Sequence, residues 1–455
     1  MEKLESLECP FSWGFDDVKV GCTTEYKSHD DEESLPVLQL MRKLMKLYAD
    51  VKNLAPAFEE NDDLLVKLTE CESLLTTMRK SDSDGSISID VVDHVVQATR
   101  AFVLSKMHMT VEMEKILENI IELDTSEKKI KSSLLGCKSM CWAAYARVHE
   151  DNAEKFIREA IREDPDCHIW HFILGKVLRN KRRDLTFGTP PSYEEGSSFN
   201  KAYALAKIPI YGIFLAQMYR EKHSKERAYE IYEQIFRQKP ESTVILLRLA
   251  LGLMAFKEME KAKKCLDKVA ETSEKNSMFL HYQGIYYLKL QQYWTAAKYF
   301  QDAAKVDNLG ADYQYIECML KVDKFFNVSQ YLVKMLEKYK HLPDKQIQPI
   351  LLDLAFLSWK TDKNIPDSLK YFRRALKIDL HSRPLTNYNP WQIGLKLRDK
   401  NVFRMVEKEL LPIAYKKYST SDILEMANDI KKMCSEHHSD RHRSAMKSLD
   451  SLALR

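Results

Sequence analysis

Three alanines recur at a constant interval of 34 residues, at Ala228, Ala262 and Ala296. Small and aromatic residues surround the last of them at the spacing of two successive helices, namely Gly284, Tyr287, Phe300 and Ala303. Two antiparallel helices cannot bury their apolar stripes alone, so each pair must pack against the next. This regular interval therefore predicts a row of helical hairpins that share one continuous core.

The composition favours the same architecture. Glycine (12) and proline (14) each make up about 3% of the 455 residues, against the usual ~7% and ~5%, which is too little for a many-stranded sandwich or barrel. The small-residue spacing is that of the tetratricopeptide repeat, a helix-turn-helix unit of about 34 residues. We predict an all-α fold: a superhelix of roughly six to eight tetratricopeptide repeats with an N-terminal helical subdomain.

Interruptions of the pattern suggest the domain organisation. A polar stretch over Lys80–Ser86 follows the N-terminal helical pair. Near residues 180–198 the repeat pattern is lost, and Phe199–Ala206 resumes it, which predicts a loop inserted between the two helices of one repeat. The C-terminal part contains helical stretches, then a polar tail over Ser435–Ser444, and its final dozen residues are expected to be disordered. The predicted domains are an N-terminal helical subdomain, the repeat array, and a C-terminal helical segment with the tail: 1–80, 88–380 and 381–455.

Charge and cysteine usage limit the cellular setting. No window approaches the ~18 uncharged residues of a membrane span, and no basic stretch followed by an apolar run begins the chain, so neither a membrane partner nor secretion is predicted. The nine scattered cysteines are typical of reduced thiols, which predicts a cytoplasmic or nuclear protein, with cytoplasm preferred. The net charge is only +3, so an anionic partner must meet a local basic patch.

Two groups of side chains could in principle bind a metal ion. The first comprises Cys137, Cys141, Cys167 and His168; the second comprises Cys434, His437, His438 and His442. The first matches no zinc module and is interpreted as small residues buried at helix contacts. The second falls in the polar tail and is interpreted as solvated surface. The sequence also contains no catalytic or nucleotide-binding motif, so we predict no metal, no cofactor and no enzymatic activity.

Basic, aromatic and amide side chains lie on or beside the predicted first helices, whose side chains line the inner wall of such an array: Lys176, Arg179, Arg248, Tyr282 and Gln283. Lysine and arginine compensate phosphates, aromatic rings stack on bases, and glutamine reads base edges or a sugar hydroxyl. As a set they favour a nucleic acid ligand. Each has an ordinary alternative as a core or surface residue.

The competing hypothesis is a protein-interaction scaffold that binds a peptide or helix in its concave groove. Clamps of this class for a terminal carboxylate use asparagines on successive first helices. The first helices predicted at 210–220 and 244–256 contain no asparagine. This weakens the clamp and leaves other peptide-binding modes open.

The N-terminus carries a more specific pattern, formed by Leu4, Leu7, Cys9, Phe11 and Trp13. It resembles the opening Leu-x-x-Leu-x-Cys-x-Phe-Thr-Trp of the interferon-induced proteins with tetratricopeptide repeats. The interruption of the repeats near Pro190 also falls where that family breaks its register. The resemblance covers about residues 1–380. It implies a cytosolic antiviral protein that encloses the 5′ end of single-stranded RNA in a basic channel, without catalysis.

The resemblance also implies roles for individual residues. Trp142 is similar to the family tryptophan that lies beneath the cap base, and its alternative role is consensus core packing. Arg179 is similar to an arginine that reaches RNA phosphates, and Leu280–Gln283 resembles a Leu-His-His-Gln segment of the RNA-facing wall. The lysine expected four residues after the tryptophan is Ala146 here, with Arg147 beside it.

One departure from the family pattern concerns triphosphate recognition. The Phe-Tyr-Arg-Arg segment of the family appears here as Leu253–Phe256, without its arginines.

The sequence thus predicts a non-enzymatic binder of single-stranded RNA, with protein partners in the repeat groove as the alternative. It does not predict an oligomeric state. The predicted RNA-binding residues are Trp142, Arg147, Lys176, Arg179, Arg248, Tyr282 and Gln283.

Overall fold

The computed structural model divides the chain into two compact units, Met1–Val269 and Ala270–Arg455. The structure describes residues 2–15, 35–53, 62–81, 85–145, 150–185, 189–272, 276–306, 308–342, 344–397 and 400–453. Within these ranges it is helical, with one isolated antiparallel bridge between Tyr388 and Lys400. The domain boundaries expected near residues 80 and 380 stay predictions.

The first unit contains twelve described helices and most of a thirteenth, which extends past Val269. Their bounds are α1 Glu2–Glu5, α2 Pro36–Asn53, α3 Asp62–Ser81, α4 Ile89–Lys106, α5 Thr110–Asn119, α6 Lys128–Tyr145, α7 Glu150–Glu163, α8 His168–Leu185, α9 Tyr193–Leu205, α10 Pro209–Glu221, α11 Lys225–Arg237, α12 Thr243–Ala255 and α13 Met259–Thr272.

The second unit continues the helical pattern. Its described helices are α14 Ser277–Lys289, α15 Tyr293–Ala303, α16 Leu309–Val322, α17 Val328–Lys338, α18 Asp344–Lys360, α19 Ile365–Ile378, α20 Arg383–Thr386, α21 Val402–Met405, α22 Leu411–Lys417 and α23 Ser421–Ala453. A 3₁₀ turn lies at Trp391–Ile393, and a π-helical turn at Val406–Leu410 joins α21 to α22.

The repeated alanines occupy equivalent places. Ala228, Ala262 and Ala296 lie on α11, α13 and α15 and have no exposed surface. Glycines on first helices admit the aromatic rings of second helices: a Cβ at Gly252 would lie 2.5 Å from Cε1 of Tyr232, and one at Gly284 would lie 2.5 Å from Cε1 of Phe300. Only glycine permits this approach without a shift of the ring. The predicted all-α tetratricopeptide fold class is confirmed.

Left-handed residues close the first helices at the same 34-residue interval. His223, Lys257 and Gln291 have φ of 61°, 65° and 60° and directly follow the last turns of α10, α12 and α14. The next amide reaches back to the helix; for example, Glu258 N donates to Leu253 O at 3.0 Å. This is the Schellman ending, which satisfies terminal carbonyls and reverses the chain toward the second helix.

Asparagine caps begin several helices of the second unit. The Asn276 side chain accepts a hydrogen bond from Phe279 N at 2.8 Å, and asparagines precede α16, α17 and α19 in the same way. Each cap satisfies an amide that has no partner within its helix, which contributes about 1 kcal/mol.

Two segments are more helical than the sequence suggests. The loop predicted near 180–198 is shorter, because α8 continues to Leu185 and α9 begins at Tyr193. The segment predicted as a polar tail belongs to α23, which runs from Ser421 to Ala453. Ala427, Ile430 and Cys434 lie at helical spacing on α23 and are fully buried in the core of the second unit, which explains why the polar segment is helical.

Candidate nucleic-acid interface

The predicted site residues fall on first helices of both units. Trp142, Lys176, Arg179 and Arg248 lie in the first unit, on α6, α8, α8 and α12. Tyr282 and Gln283 lie on α14 of the second unit. Arg147 lies outside the described residues.

Three of the predicted cations converge on one aromatic ring. The centroid of the Phe214 ring lies 4.9 Å from Cζ of Arg179, 5.5 Å from Cζ of Arg248 and 5.5 Å from Nζ of Lys176. The ring is 2% exposed and projects from α10, between the helices that carry the cations. Cations over an aromatic face are stabilised by its quadrupole, so Phe214 helps to hold three positive charges together. We call Lys176, Arg179, Arg248 and Phe214 the basic cluster.

Arg179 is more enclosed than the sequence suggests. It is 9% exposed, and its Nη2 donates to Oε1 of Gln217 at 2.8 Å. The same nitrogen lies 3.7 Å from Oε1 of Glu221. Sequence reasoning missed both partners because a helix pattern does not show which polar groups on α10 face α8.

Carboxylates beside the basic cluster neutralise its neighbouring arginines. Arg182 forms a bidentate pair with Glu195, at 2.8 and 3.0 Å, and also reaches Glu221 at 2.5 Å. Arg183 forms an ion pair with Glu221. Burial raises the pKa of Glu221, but the charges of Arg179 and Arg183 and the hydrogen bonds from Arg182 and Arg183 together more than offset this effect, so the pKa is lowered and the group is a carboxylate at neutral pH.

A buried hydroxyl lies within the same electrostatic environment. Burial raises the pKa of Tyr232 to about 12, and the charges of Arg220, Arg179 and Arg248 oppose this rise. The hydroxyl oxygen is buried without a hydrogen-bond partner among the described residues. The charge of Glu221 adds to the rise, so the pKa of Tyr232 on α11 responds to both signs of charge around it.

Trp142 packs against the N-terminal segment. The Phe15 ring centroid lies 4.3 Å from that of Trp142, and the indole is 6% exposed. Nearby, Oε2 of Glu8 accepts hydrogen bonds from Nε1 of Trp13 at 2.6 Å and from Nζ of Lys138 at 2.8 Å. The contact with Phe15 is the kind of packing that the core interpretation of Trp142 predicts. Its role beneath a cap base stays a prediction.

The second unit places its two predicted residues differently. Gln283 is 6% exposed, whereas Tyr282 is half-buried. Sequence reasoning favours an outward-facing Gln283, but its neighbour Gly284 seats the Phe300 ring and draws this part of α14 into the core.

The first predicted cysteine and histidine group is accounted for by ordinary packing. Cys137 and Cys141 are fully buried, and burial raises the pKa of Cys137 to about 12. Nδ1 of His168 lies 2.9 Å from the Tyr211 hydroxyl, and Nε2 lies 2.9 Å from Oγ of Ser86. Cys167 is also buried.

The second group is only in part the solvated surface that the sequence suggests: His438 is exposed, and the side chain of His442 lies outside the described residues. Cys434 and His437 are buried, and the His437 ring stacks on Phe403 with centroids 3.9 Å apart. Across the side chains that the structure describes, no group of three histidine, cysteine, aspartate or glutamate residues could hold a metal ion. No helix in the described ranges is long and apolar enough to cross a membrane.

Comparison with known proteins finds solved structures of similar fold. No family model and no curated protein matches the sequence. The chain is similar to the human IFIT1 dimer with m7Gppp-AAAA, at a TM-score of 0.61 and 13% identity over 98% of this chain and 99% of that chain. The human IFIT1 dimer with PPP-AAAA gives a TM-score of 0.58 at 13% identity with the same coverage. A monomeric IFIT1 mutant with Gppp-AAAA gives 0.60 at 12% identity over 97% and 99% of the two chains.

At this identity the comparison concerns the fold alone. The resemblance that the N-terminal motif indicates is confirmed at that level, because the likeness to IFIT1 extends over nearly the full length of both chains.

Proposed function

We propose that this chain binds single-stranded RNA and acts by holding it, without catalysis. The observation that carries the proposal is the basic cluster, in which Lys176, Arg179 and Arg248 surround Phe214. Clustered cations compensate phosphates, which dominate the affinity of most RNA-binding proteins. The likeness to IFIT1 structures that contain capped or triphosphate RNA supports the same ligand class.

The 5′ end is the proposed site of recognition on the RNA. Support comes from the N-terminal motif and from the three similar structures, whose RNAs carry m7Gppp, PPP or Gppp groups. Arg147, Trp142, Tyr282 and Gln283 are proposed as further contacts on the basis of the resemblance. An antiviral role in the cytoplasm belongs to the same proposal.

A salt-titrated binding assay tests this function. Fluorescence anisotropy with short RNAs of one sequence, bearing a cap, a triphosphate or a hydroxyl at the 5′ end, should give affinities that fall steeply with salt. Each phosphate contact should contribute about 0.7 to the slope of log affinity against log salt. Weak binding that is insensitive to the 5′ group and to salt would overturn the proposal.

Two substitutions in the basic cluster give the site-specific arm of the test. Lys176→Gln and Arg248→Gln should each weaken binding about three- to thirtyfold and lower the salt slope by about 0.7. Lys264→Gln is the matched control, because Lys264 is an exposed residue on α13 and its substitution removes the same charge. If all three substitutions change the affinity for RNA equally, the basic cluster is not the RNA-binding site.

Protein binding remains the second candidate, and the carboxylates beside the basic cluster favour it. Glu221, whose side chain is 22% exposed beside the arginines of α8, gives this surface both signs of charge, which suits a peptide with mixed charges better than a pure polyanion. A stoichiometric protein partner that stays bound after nuclease treatment, and is lost in the Arg248→Gln variant, would support this candidate.

A further inference from the structure

Three arginines on one face of α8 meet the carboxylate of Glu221, the last residue of α10. Nη2 of Arg182 lies 2.5 Å from Oε2, Arg183 pairs with Oε1, and Nη2 of Arg179 lies 3.7 Å from Oε1. The arginines share this face because residues three and four apart are neighbours on a helix. Glu221 therefore occupies a position that suits an anion.

Without the arginines, the end of α10 would disfavour the negative charge of Glu221. The C-terminus of a helix carries a partial negative charge, which repels a carboxylate. The lowered pKa of Glu221, in spite of the burial that raises it, shows that the arginines dominate its surroundings. The same arginines would stabilise a phosphate oxygen placed there.

Glu195 and Glu221 differ in how deeply they are buried and in how tightly they are paired. The side chain of Glu195 is 1% exposed and binds Arg182 through both oxygens, as a structural pair. The side chain of Glu221 is 22% exposed, and its partner Arg183 is 43% exposed. When Glu221 moves away, Arg182 keeps Glu195 and Arg179 keeps its hydrogen bond to Gln217, so a phosphate that replaces Glu221 meets arginines that are still held in place.

We infer that Glu221 is an internal competitor for RNA phosphate: its carboxylate holds Arg179 and Arg183 in the free chain and yields them to the bound RNA. This inference rests on the proposed RNA-binding function. Glu221 thereby lowers the affinity for RNA, because a phosphate must first displace its carboxylate from the arginines.

Glu221→Gln tests the competition, with Glu194→Gln as the matched control. Glu194 pairs with Arg158 of α7 at 2.5 Å, and its substitution changes the net charge equally. Both variants and the wild type are titrated with 5′-triphosphate and 5′-hydroxyl single-stranded RNAs of one sequence. Glu221→Gln should bind both RNAs about three- to tenfold more tightly at low salt, and Glu194→Gln should stay within about twofold of wild type.

The outcomes separate this inference from the proposed function. A wild-type chain that does not bind RNA overturns the function itself. A wild-type chain that binds, with Glu221→Gln equal to Glu194→Gln or weaker than wild type, overturns the inference, because Glu221 would then be inert or would position the arginines. Glu221→Ala removes the carboxylate without adding an amide and must shift the affinity in the same direction, which keeps the test decisive if the glutamine variant folds poorly.

Discussion

The Tyr388 hydroxyl donates a hydrogen bond to Oδ1 of Asp353, at 2.7 Å. Tyr313 donates to Oδ2 of the same carboxyl group at 2.8 Å. Asp353 lies on α18 and is 6% exposed, and the two tyrosines belong to α16 and to the segment after α20. One buried acid thus connects three parts of the second unit.

The stability of the chain should depend on the ionisation of Asp353. Burial raises the pKa of Asp353 to about 6, and the hydrogen bonds from Tyr388 and Tyr313 only partly oppose this. The unfolded chain releases this proton near its ordinary value of about 4, so between the two pKa values the folded chain binds more protons. The contribution of Asp353 to the free energy of unfolding is therefore complete below about pH 4 and falls by about 3 kcal/mol as the pH rises through 6.

Urea unfolding at a series of pH values measures this effect against Asp353→Asn, which cannot ionise. The difference in free energy between wild type and variant should change by about 3 kcal/mol between pH 4 and pH 7. Parallel profiles would show that Asp353 titrates normally.

Trp142 should contribute to stability through its contact with Phe15. Trp142→Ala removes a buried aromatic ring and should lower the free energy of unfolding by about 3–5 kcal/mol, whereas Trp142→Phe should cost less. A double-mutant cycle with Phe15→Ala, measured by chemical denaturation, should show a coupling of about 1 kcal/mol. An unchanged stability together with a selective loss of capped RNA would instead identify Trp142 as a ligand contact.

Arg179→Glu should disturb both binding and folding. The sequence alone suggests a surface position, where such a change leaves stability nearly unaltered. In the structure Arg179 is 9% exposed, and the new carboxylate would face that of Glu221. We expect a loss of about 2–4 kcal/mol in thermal or urea unfolding, and a smaller loss for Arg179→Gln. Equal stabilities of the two variants would argue against the arrangement of Arg179 and Glu221.

The helix contact at Ala296 should not tolerate a larger side chain. Ala296→Leu adds volume at a fully buried position on α15 and should cost about 1–3 kcal/mol. Thr295→Leu is its control, because Thr295 is the exposed neighbour on the same helix. Differential scanning calorimetry should separate the two variants by several degrees, and matched melting temperatures would contradict the packing described for α15.

Replacing Lys257 with glycine should stabilise the folded chain. Its φ of 65° costs a residue with a Cβ about 1 kcal/mol, so Lys257→Gly should raise the free energy of unfolding by about 0.5–1 kcal/mol. Lys257→Ala keeps the Cβ and should give no such gain. Urea midpoints of the two variants provide the comparison, and a less stable glycine variant would show that the left-handed turn is not strained.

The repeat register was predictable because it depends on local rules. Ala228, Ala262 and Ala296 mark helix contacts that demand small side chains, and the structure buries all three. The extent of α23 was not predictable in this way, because its helical form depends on Ile430 and Cys434 burying against the core of the second unit. The polar composition of this segment does not indicate that a few of its residues pack against that core.

The basic cluster was predictable only in part. Lys176, Arg179 and Arg248 followed from charge on the first helices, but their convergence on Phe214 depends on how α8, α10 and α12 pack. The pairing of Glu195 with Arg182 and of Glu221 with Arg183 was missed because these carboxylates belong to other helices, 13 and 38 residues away in the chain. The spacing of residues within one helix cannot predict ion pairs between residues that are so far apart in the sequence.

The seating of Tyr232 against Gly252, and of Phe300 against Gly284, limits how much of the sequence the fold dictates. Each hairpin is aligned by a few positions where one partner lacks a side chain and the other supplies a ring. The packing at these positions depends on only a few amino acids, so the same fold is compatible with very different residues elsewhere, including those that contact a ligand. The likeness to IFIT1 at 13% identity is accordingly a likeness of fold.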